Sequence, residues 1–208
     1  MYFIVEFMPG MRVGATVGKA TAVAGRALDP SRDLRLAREA LDMTPTAQNR
    51  MLLARALMNS GQPAEAATEF EECLKGPFAS DPEIAFLAAQ AHLASNQPVR
   101  ALELLQQIRN RDPNFRQELL AVAMGQALTA TGDTAAAGLE LRQASERFGG
   151  IESRGEYAIW AAQNGDPETA RQLQRELQKS YANWSGQTRA MHKPLMKRVD
   201  AAVGAVVS

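Results

Sequence analysis

Four times in this chain a small residue is followed twelve positions later by another small residue, with a turn between them: Ala54 and Ala66, Ala89 and Ala101, Gly125 and Ala137, Ala158 and Ala170. The turns fall at the same place in each unit, at Gly61-Gln62-Pro63, Asn96-Gln97-Pro98, Gly132-Asp133-Thr134 and Gly165-Asp166-Pro167, so the units advance by 35, 36 and 33 residues. A period near 34 residues marks a helical repeat array. In such an array each unit packs only on its neighbours, which removes the need for one thick central core.

The composition agrees. Apolar residues make up 46% of the chain but aromatics only 6%, and alanine supplies much of the apolar share, as suits helices that meet through small side chains. Lys plus Arg equals Asp plus Glu, 23 against 23, so no overall field draws the chain to polyanions, and no basic stripe is interleaved with aromatics. Both observations argue against nucleic acid. The single cysteine, Cys73, falls on the inward side of a second helix, where a thiol acts as a small hydrophobe, and one cysteine cannot build an internal disulfide framework.

Met1 to Met8 form an apolar run containing one acid, Glu6, closed by Pro9-Gly10. The run is too short to cross a bilayer, which takes about 20 apolar residues, and it lacks the basic start and cleavage site of a secretory signal. Arg12, Lys19 and Arg26 follow with no acid before Asp29, the flank expected on the cytoplasmic side of a membrane helix. One reading makes this the end of a spanning segment that begins earlier; the other makes it a short apolar helix folded on the array.

From Ser31 the spacing of Leu34, Ala37 and Leu41 predicts an unpaired leading helix that stops before Pro45. Four pairs are predicted after it: Thr46 to Ser60 with Ala64 to Leu74, Pro82 to Ser95 with Pro98 to Arg109, Phe115 to Thr131 with Thr134 to Phe148, and Ile151 to Asn164 with Pro167 to Trp184. Pro63, Pro98 and Pro167 suit first helical positions, whose amides have no intrahelical partner. Asp133 and Asp166 suit N-caps. Gly76 to Ser80 reads as an extra loop, and Gln187 to Val203 as a helix disturbed by Pro194 that covers the end of the array. The expected divisions are residues 1–28 as a membrane-proximal segment and linker, 29–44 as the leading helix, 45–184 as the array and 185–208 as the C-terminal cap.

Within the array, Leu53, Leu57, Phe70 and Cys73 are expected to fill the first pair, Leu102, Leu105 and Ile108 the second, Met124, Leu128, Leu141 and Ala144 the third, and Tyr157, Leu173 and Leu177 the fourth. This order of small residue, turn, small residue and large apolar residue, as in Ala54, Gly61, Ala66, Phe70 and Cys73, resembles the tetratricopeptide repeat over about Ala47 to Trp184. The early tryptophan of that family is replaced by Arg50, Ala85, Ala121 and Arg154, and Gln174 stands where a large apolar residue is expected.

The resemblance implies an all-α, right-handed α-solenoid of about four helix pairs with a leading helix and a C-terminal capping helix. It also implies a concave groove, lined by the first helices, that holds a peptide or partner protein. By matching positions the groove residues are Gln48, Met51, Arg55 and Met58; Glu83, Phe86, Gln90 and Leu93; Leu119, Val122, Gln126 and Thr129; and Glu152, Ile159 and Gln163. A branch of the family that grips a C-terminal carboxylate uses a lysine and asparagine one turn apart; here Met51 and Arg55, then Leu87, Leu119 and Ala123, hold the corresponding places. That clamp is absent.

Tyr2 to Gly10 also resembles the end of the second membrane helix in the two-helix module of cardiolipin synthases and related phospholipase D-like proteins, which some bacterial repeat proteins carry. That likeness implies repeats held at the cytoplasmic, inner face of a bacterial membrane. Gly14 to Ala20 is one residue too short for a phosphate-binding loop and ends in alanine. The Gly14 and Gly18 spacing reads as linker, and Asn183-Trp184-Ser185 matters as a glycosylation acceptor only in a secretory pathway.

The two histidines, His92 and His192, have no second ligand at metal-binding spacing, and His92 reads as a packed structural residue. Glu69, Glu71 and Glu72 read as the solvated side of a helix. No nucleophile has a base and orienting partner. The expectation is a non-enzymatic scaffold without cofactor or metal, binding protein or peptide; the alternative is a self-association module in which the apolar N-terminus or the last helix docks on a second copy.

Overall fold

The computed structural model of the chain describes residues 30–206. It contains ten α-helices and, among the described residues, no strand: α1 (Pro30–Met43), α2 (Ala47–Asn59), α3 (Pro63–Cys73), α4 (Pro82–Ala94), α5 (Pro98–Arg111), α6 (Gln117–Thr131), α7 (Thr134–Phe148), α8 (Ile151–Gln163), α9 (Pro167–Ala182) and α10 (Gly186–Gly204). The helices form two compact units, Met1–Gln97 and Pro98–Ser208. The membrane-type segment and linker expected at 1–28 lie outside the described residues.

The turn residues behave alike because they meet one geometric demand. Gly61, Asn96, Gly132 and Gly165 all have positive φ, between 60° and 86°, so each reverses the chain through the left-handed region. Glycine enters that region without a Cβ penalty, and asparagine is among the few side chains that tolerate it. The next helices then start on prepared caps. Asp133 accepts from the Ala136 amide at 3.2 Å and Asp166 from the Thr169 amide at 3.1 Å, while Pro63 and Pro167 occupy first-turn positions.

In the first unit α1 packs on α2, α2 on α3 and α3 on α4. Ala54 and Ala66 have no exposed surface, and Leu57, Phe70 and Cys73 are buried around them. The acidic cluster corrects its sequence reading: Glu69 takes Arg50 at 2.6 Å, Glu71 lies 3.0 Å from His92 Nε2, and Glu72 pairs with Lys75. All three glutamates are partly buried. They connect α3 to its surroundings because long side chains on an otherwise alanine-rich helix reach the flanking elements.

In the second unit α6 packs on α5, α7 and α8, and α8 packs on α7, α9 and α10. Gly125, in the small-residue position of its pair, is buried, and a Cβ there would lie 2.5 Å from Leu141 Cδ2. Only glycine permits this spacing. Trp160 uses the same device on α7, where a Cβ on Gly138 would meet its ring at 2.3 Å.

The last helix, α10, is continuous through Pro194 and sits on α8 and α9. Met196, Val199 and Val203 join Ala158, Ile159, Ala162 and Leu177 in one apolar cluster. Polar contacts fix its register: Arg198 grips the buried Glu156 with two bonds of 2.7 and 3.0 Å, His192 Nδ1 lies 3.1 Å from Glu152, and Gln174 and Gln178 both donate to Asp200. Gln174 thereby explains its own departure from the repeat pattern. It meets a polar partner on the final helix where another repeat would offer an apolar one.

Three outcomes follow from this packing. Ala66→Leu overpacks the α2–α3 contact at a cost of about 1–3 kcal/mol, read as a lowered midpoint in a thermal melt; an unchanged midpoint would place Ala66 outside the contact. Arg198→Ala leaves Glu156 buried without its cation and destabilises by about 1–3 kcal/mol, whereas Arg35→Ala, in an exposed pair, changes stability by about 0–1 kcal/mol; urea titration of both separates them.

The third concerns Cys73, whose Sγ donates to the Ala47 carbonyl at 3.6 Å. Burial pushes its thiol pKa up, with Glu69 and Glu72 adding and Arg50 opposing. The folded chain holds that proton more tightly than the unfolded chain, so its contribution is intact below the unfolded thiol's pKa and is lost as pH rises through the folded value. A thiol reagent at mildly alkaline pH should label the native protein at least about tenfold more slowly than the urea-unfolded chain.

Candidate functional site

The sequence-predicted groove residues divide into exposed, half-buried and buried sets. In the first unit, α2 carries Gln48 and Arg55 exposed with Met51 and Met58 half-buried. Met51 and Met58 lie four residues before and three after Arg55, so the guanidinium rises between two thioethers on one helix face. On α4, Glu83, Gln90 and Leu93 are half-buried, but Phe86 is 1% exposed. Phe86 is therefore core and cannot meet a ligand directly. The cause is the helix itself: Ile84, Phe86, Ala88, Ala89, Ala91 and His92 are all buried, and a helix apolar nearly all round is covered nearly all round.

In the second unit, α6 presents Leu119 and Gln126 half-buried and Thr129 exposed, while Val122 is buried. Val122 stands one turn after Glu118, whose carboxylate accepts from Ser153 Oγ of α8 at 2.7 Å, which puts Val122 on the side of α6 that packs against α8. The carboxylate lies against the Gly150 backbone at the start of α8, where a Cβ would come within 1.9 Å of Glu118 Oε1. Gly150 makes no side-chain cap of its own. Glu118 supplies negative charge at that helix N-terminus, where the macrodipole favours it.

The fourth set of groove positions is partly covered by α10. Glu152 lies against His192, Gly155 against Leu195 and Glu156 against Arg198, all on α10. Ile159 shares that face and is buried in the cluster containing Met196 and Val199. The expectation of a groove wall on α8 is corrected at Ile159: the C-terminal helix covers it, and neither the repeat period nor the apolar count shows where a later helix will fold back. Gln163 is exposed.

Polar groups differ in employment, though not strictly by helix set: Arg50 on α2, Glu118 on α6 and Arg154 on α8 are engaged, while Arg171, Arg175 and Lys179 on α9 are not, among the described residues. On second helices, Glu65 pairs with Arg38, Glu69 with Arg50 and Glu140 with Arg109. On first helices, Gln48, Arg55 and Gln90 in the first unit and Gln126 in the second form no side-chain hydrogen bond or ion pair among the described residues. Their donors and acceptors face water. This contrast was hidden from the sequence, where all these residues simply read as polar positions on amphipathic helices.

His92 is buried, with its ring nitrogens 2.8 Å from Gln97 Oε1 and 3.0 Å from Glu71 Oε1, the satisfied structural histidine expected from its position. Among the described residues no group of three or more His, Cys, Asp or Glu is placed to hold a metal ion. An open cavity of about 540 Å³ in the second unit is bordered by Arg109, Gln117, Leu120, Glu140 and Arg147. Its charged groups are engaged: Arg109 holds Glu140 at 2.9 Å, and Arg147 donates to Gln117 at 3.1 Å while lying 5.0 Å from the Phe148 ring centre.

Antiparallel helix pairs that meet through alanine and glycine and turn through a left-handed residue define an α-helical repeat protein. Residues 61–127 match the tetratricopeptide repeat family, so this stretch of the chain carries tetratricopeptide repeats. In fold, the chain is similar to the crystal structure of MamA, with a TM-score of 0.61 at 14% identity, covering 83% of this chain and all of that one. No curated protein matches it in sequence. The fold likeness supports the all-α solenoid arrangement expected from the sequence.

Proposed function

We propose that the protein is a non-enzymatic scaffold that binds a peptide or partner protein along the first helices of its repeats. The observation that carries this reading is the unemployed row on α2: Arg55, without a partner among the described residues, between the half-buried Met51 and Met58 and beside the exposed Gln48. Methionine adapts to varied apolar shapes, and a free guanidinium donates two parallel hydrogen bonds to a carboxylate. Gln90 adds an unused amide in the same unit. The segment bound there is expected to pair apolar side chains with an acid.

The apolar run Met1 to Met8, followed by Arg12, Lys19 and Arg26, supports a position for this scaffold at the cytoplasmic side of a membrane. Self-association is the weaker reading, because the apolar side of α10 is already covered within its own unit.

The groove reading is tested by affinity capture with the wild-type chain and an Arg55→Glu/Gln90→Ala double variant. Both substitutions are on residues that are not buried, so the variant should keep its helical spectrum and melting midpoint. The expected outcome is that proteins held by the wild type are lost from the variant. Retention of the same proteins by a folded variant would refute the role assigned to this face.

A further inference from the structure

The chain is neutral overall, yet its last two helices are not. From Pro167 to Gly204 there are seven Lys and Arg against three Asp and Glu. One of these cations, Arg198, is engaged by Glu156, and one of the acids, Glu176, lies 3.9 Å from Arg154. The remaining six cations fall into two rows of identical spacing: Arg171, Arg175 and Lys179 on α9, and Arg189, Lys193 and Lys197 on α10. Residues four apart share a helix face, about 6 Å apart along the axis.

The seam between α9 and α10 fixes where the rows lie. Gln174 and Gln178 of α9 donate to Asp200 of α10 at 2.7 and 2.9 Å. Arg171, Arg175 and Lys179 each follow one position after the Ala170, Gln174 and Gln178 edge and are turned outward from it. On α10, Lys193 and Lys197 precede Asp200 by seven and three residues, which places them on its side of the helix. Both rows therefore border the same seam on its outer side, on helices packed at about 8–10 Å. Arg171 is half-buried and the other five are exposed. None of the six side chains has a hydrogen bond or ion pair among the described residues.

We infer that this α9–α10 face lies against an anionic lipid bilayer surface. Six cations in two rows, set against the exposed Glu168 at the head of the α9 row and Asp200 in the seam, leave a net positive two-dimensional array, which matches a charged plane. What the face lacks points the same way. The exposed positions beside the rows are Gln178, Ala182, Ala190 and Ala201, which offer no apolar anchor of the kind that fixes a protein partner. The nearest aromatic rings, Tyr181 and Trp184, pack on each other and on His192, so none is presented for stacking on a nucleic-acid base.

The test uses the full chain, sedimented with phosphatidylcholine vesicles that either contain or lack phosphatidylglycerol. The wild type is expected to bind only the anionic vesicles and to release as salt rises. Each cation near such a surface strengthens binding about fivefold, so Lys179→Glu/Lys193→Glu/Lys197→Glu should lose about 100-fold or more. The matching triple change to arginine should bind as the wild type does. Equal binding to neutral vesicles would assign the affinity to the apolar N-terminus and overturn the proposal. Undiminished binding by the folded glutamate variant, or binding only to polyglutamate or to DNA with none to vesicles, would overturn it as well.

Discussion

Close approach of helices through residues with almost no side chain is the constraint on which this structure rests. Ala54, Ala66, Ala137, Ala158 and Ala170 are fully buried, and Gly125 and Gly138 sit where one added carbon would collide with Leu141 or Trp160. At such spacing backbones meet backbones and the larger residues fill what remains. Few aromatics are needed, and apolar content can be modest without leaving voids. The same closeness commits each helix to particular neighbours, because a contact tuned to a hydrogen or a methyl group does not accept a different surface.

Tight pairing also distributes the polar side chains. Second helices carry glutamates whose long stems reach across to arginine or histidine, and these ion pairs join α3 to α1, α2 and α4 and α7 to α5. Among the described residues, Gln48, Arg55, Gln90 and Gln126 on first helices have side chains that reach no partner. On the reading proposed above, a bound segment would take up this hydrogen-bonding capacity by displacing the water that these groups hold.

Much of the fold is legible in the sequence because its determinants are local. The left-handed turn residues, the N-terminal prolines, the aspartate caps and the twelve-residue spacing all act within one hairpin, and they place the predicted helices within a few residues of those observed. What the sequence conceals is long-range. Phe86, Val122 and Ile159 match the groove positions by spacing, but they are buried by neighbours that spacing cannot reveal: a helix apolar all round, a carboxylate crossing from α6 to α8, and a final helix folded back on α8. Equal totals of acid and base likewise conceal that basic residues gather on the last two helices while their counterparts are used in ion pairs elsewhere. Charge arithmetic describes a sum, and surfaces respond to arrangement.

The position of α10 has a consequence for how such a protein can grow. It occupies the flank of α8 where the leading helix of a following unit would stack, and it does so with a paired Arg198, an engaged His192 and a doubly held Asp200. A further hairpin could stack on that flank of α8 only by displacing α10 and breaking these contacts. Lengthening on this side, in evolution or by design, is therefore simplest as an insertion ahead of α10.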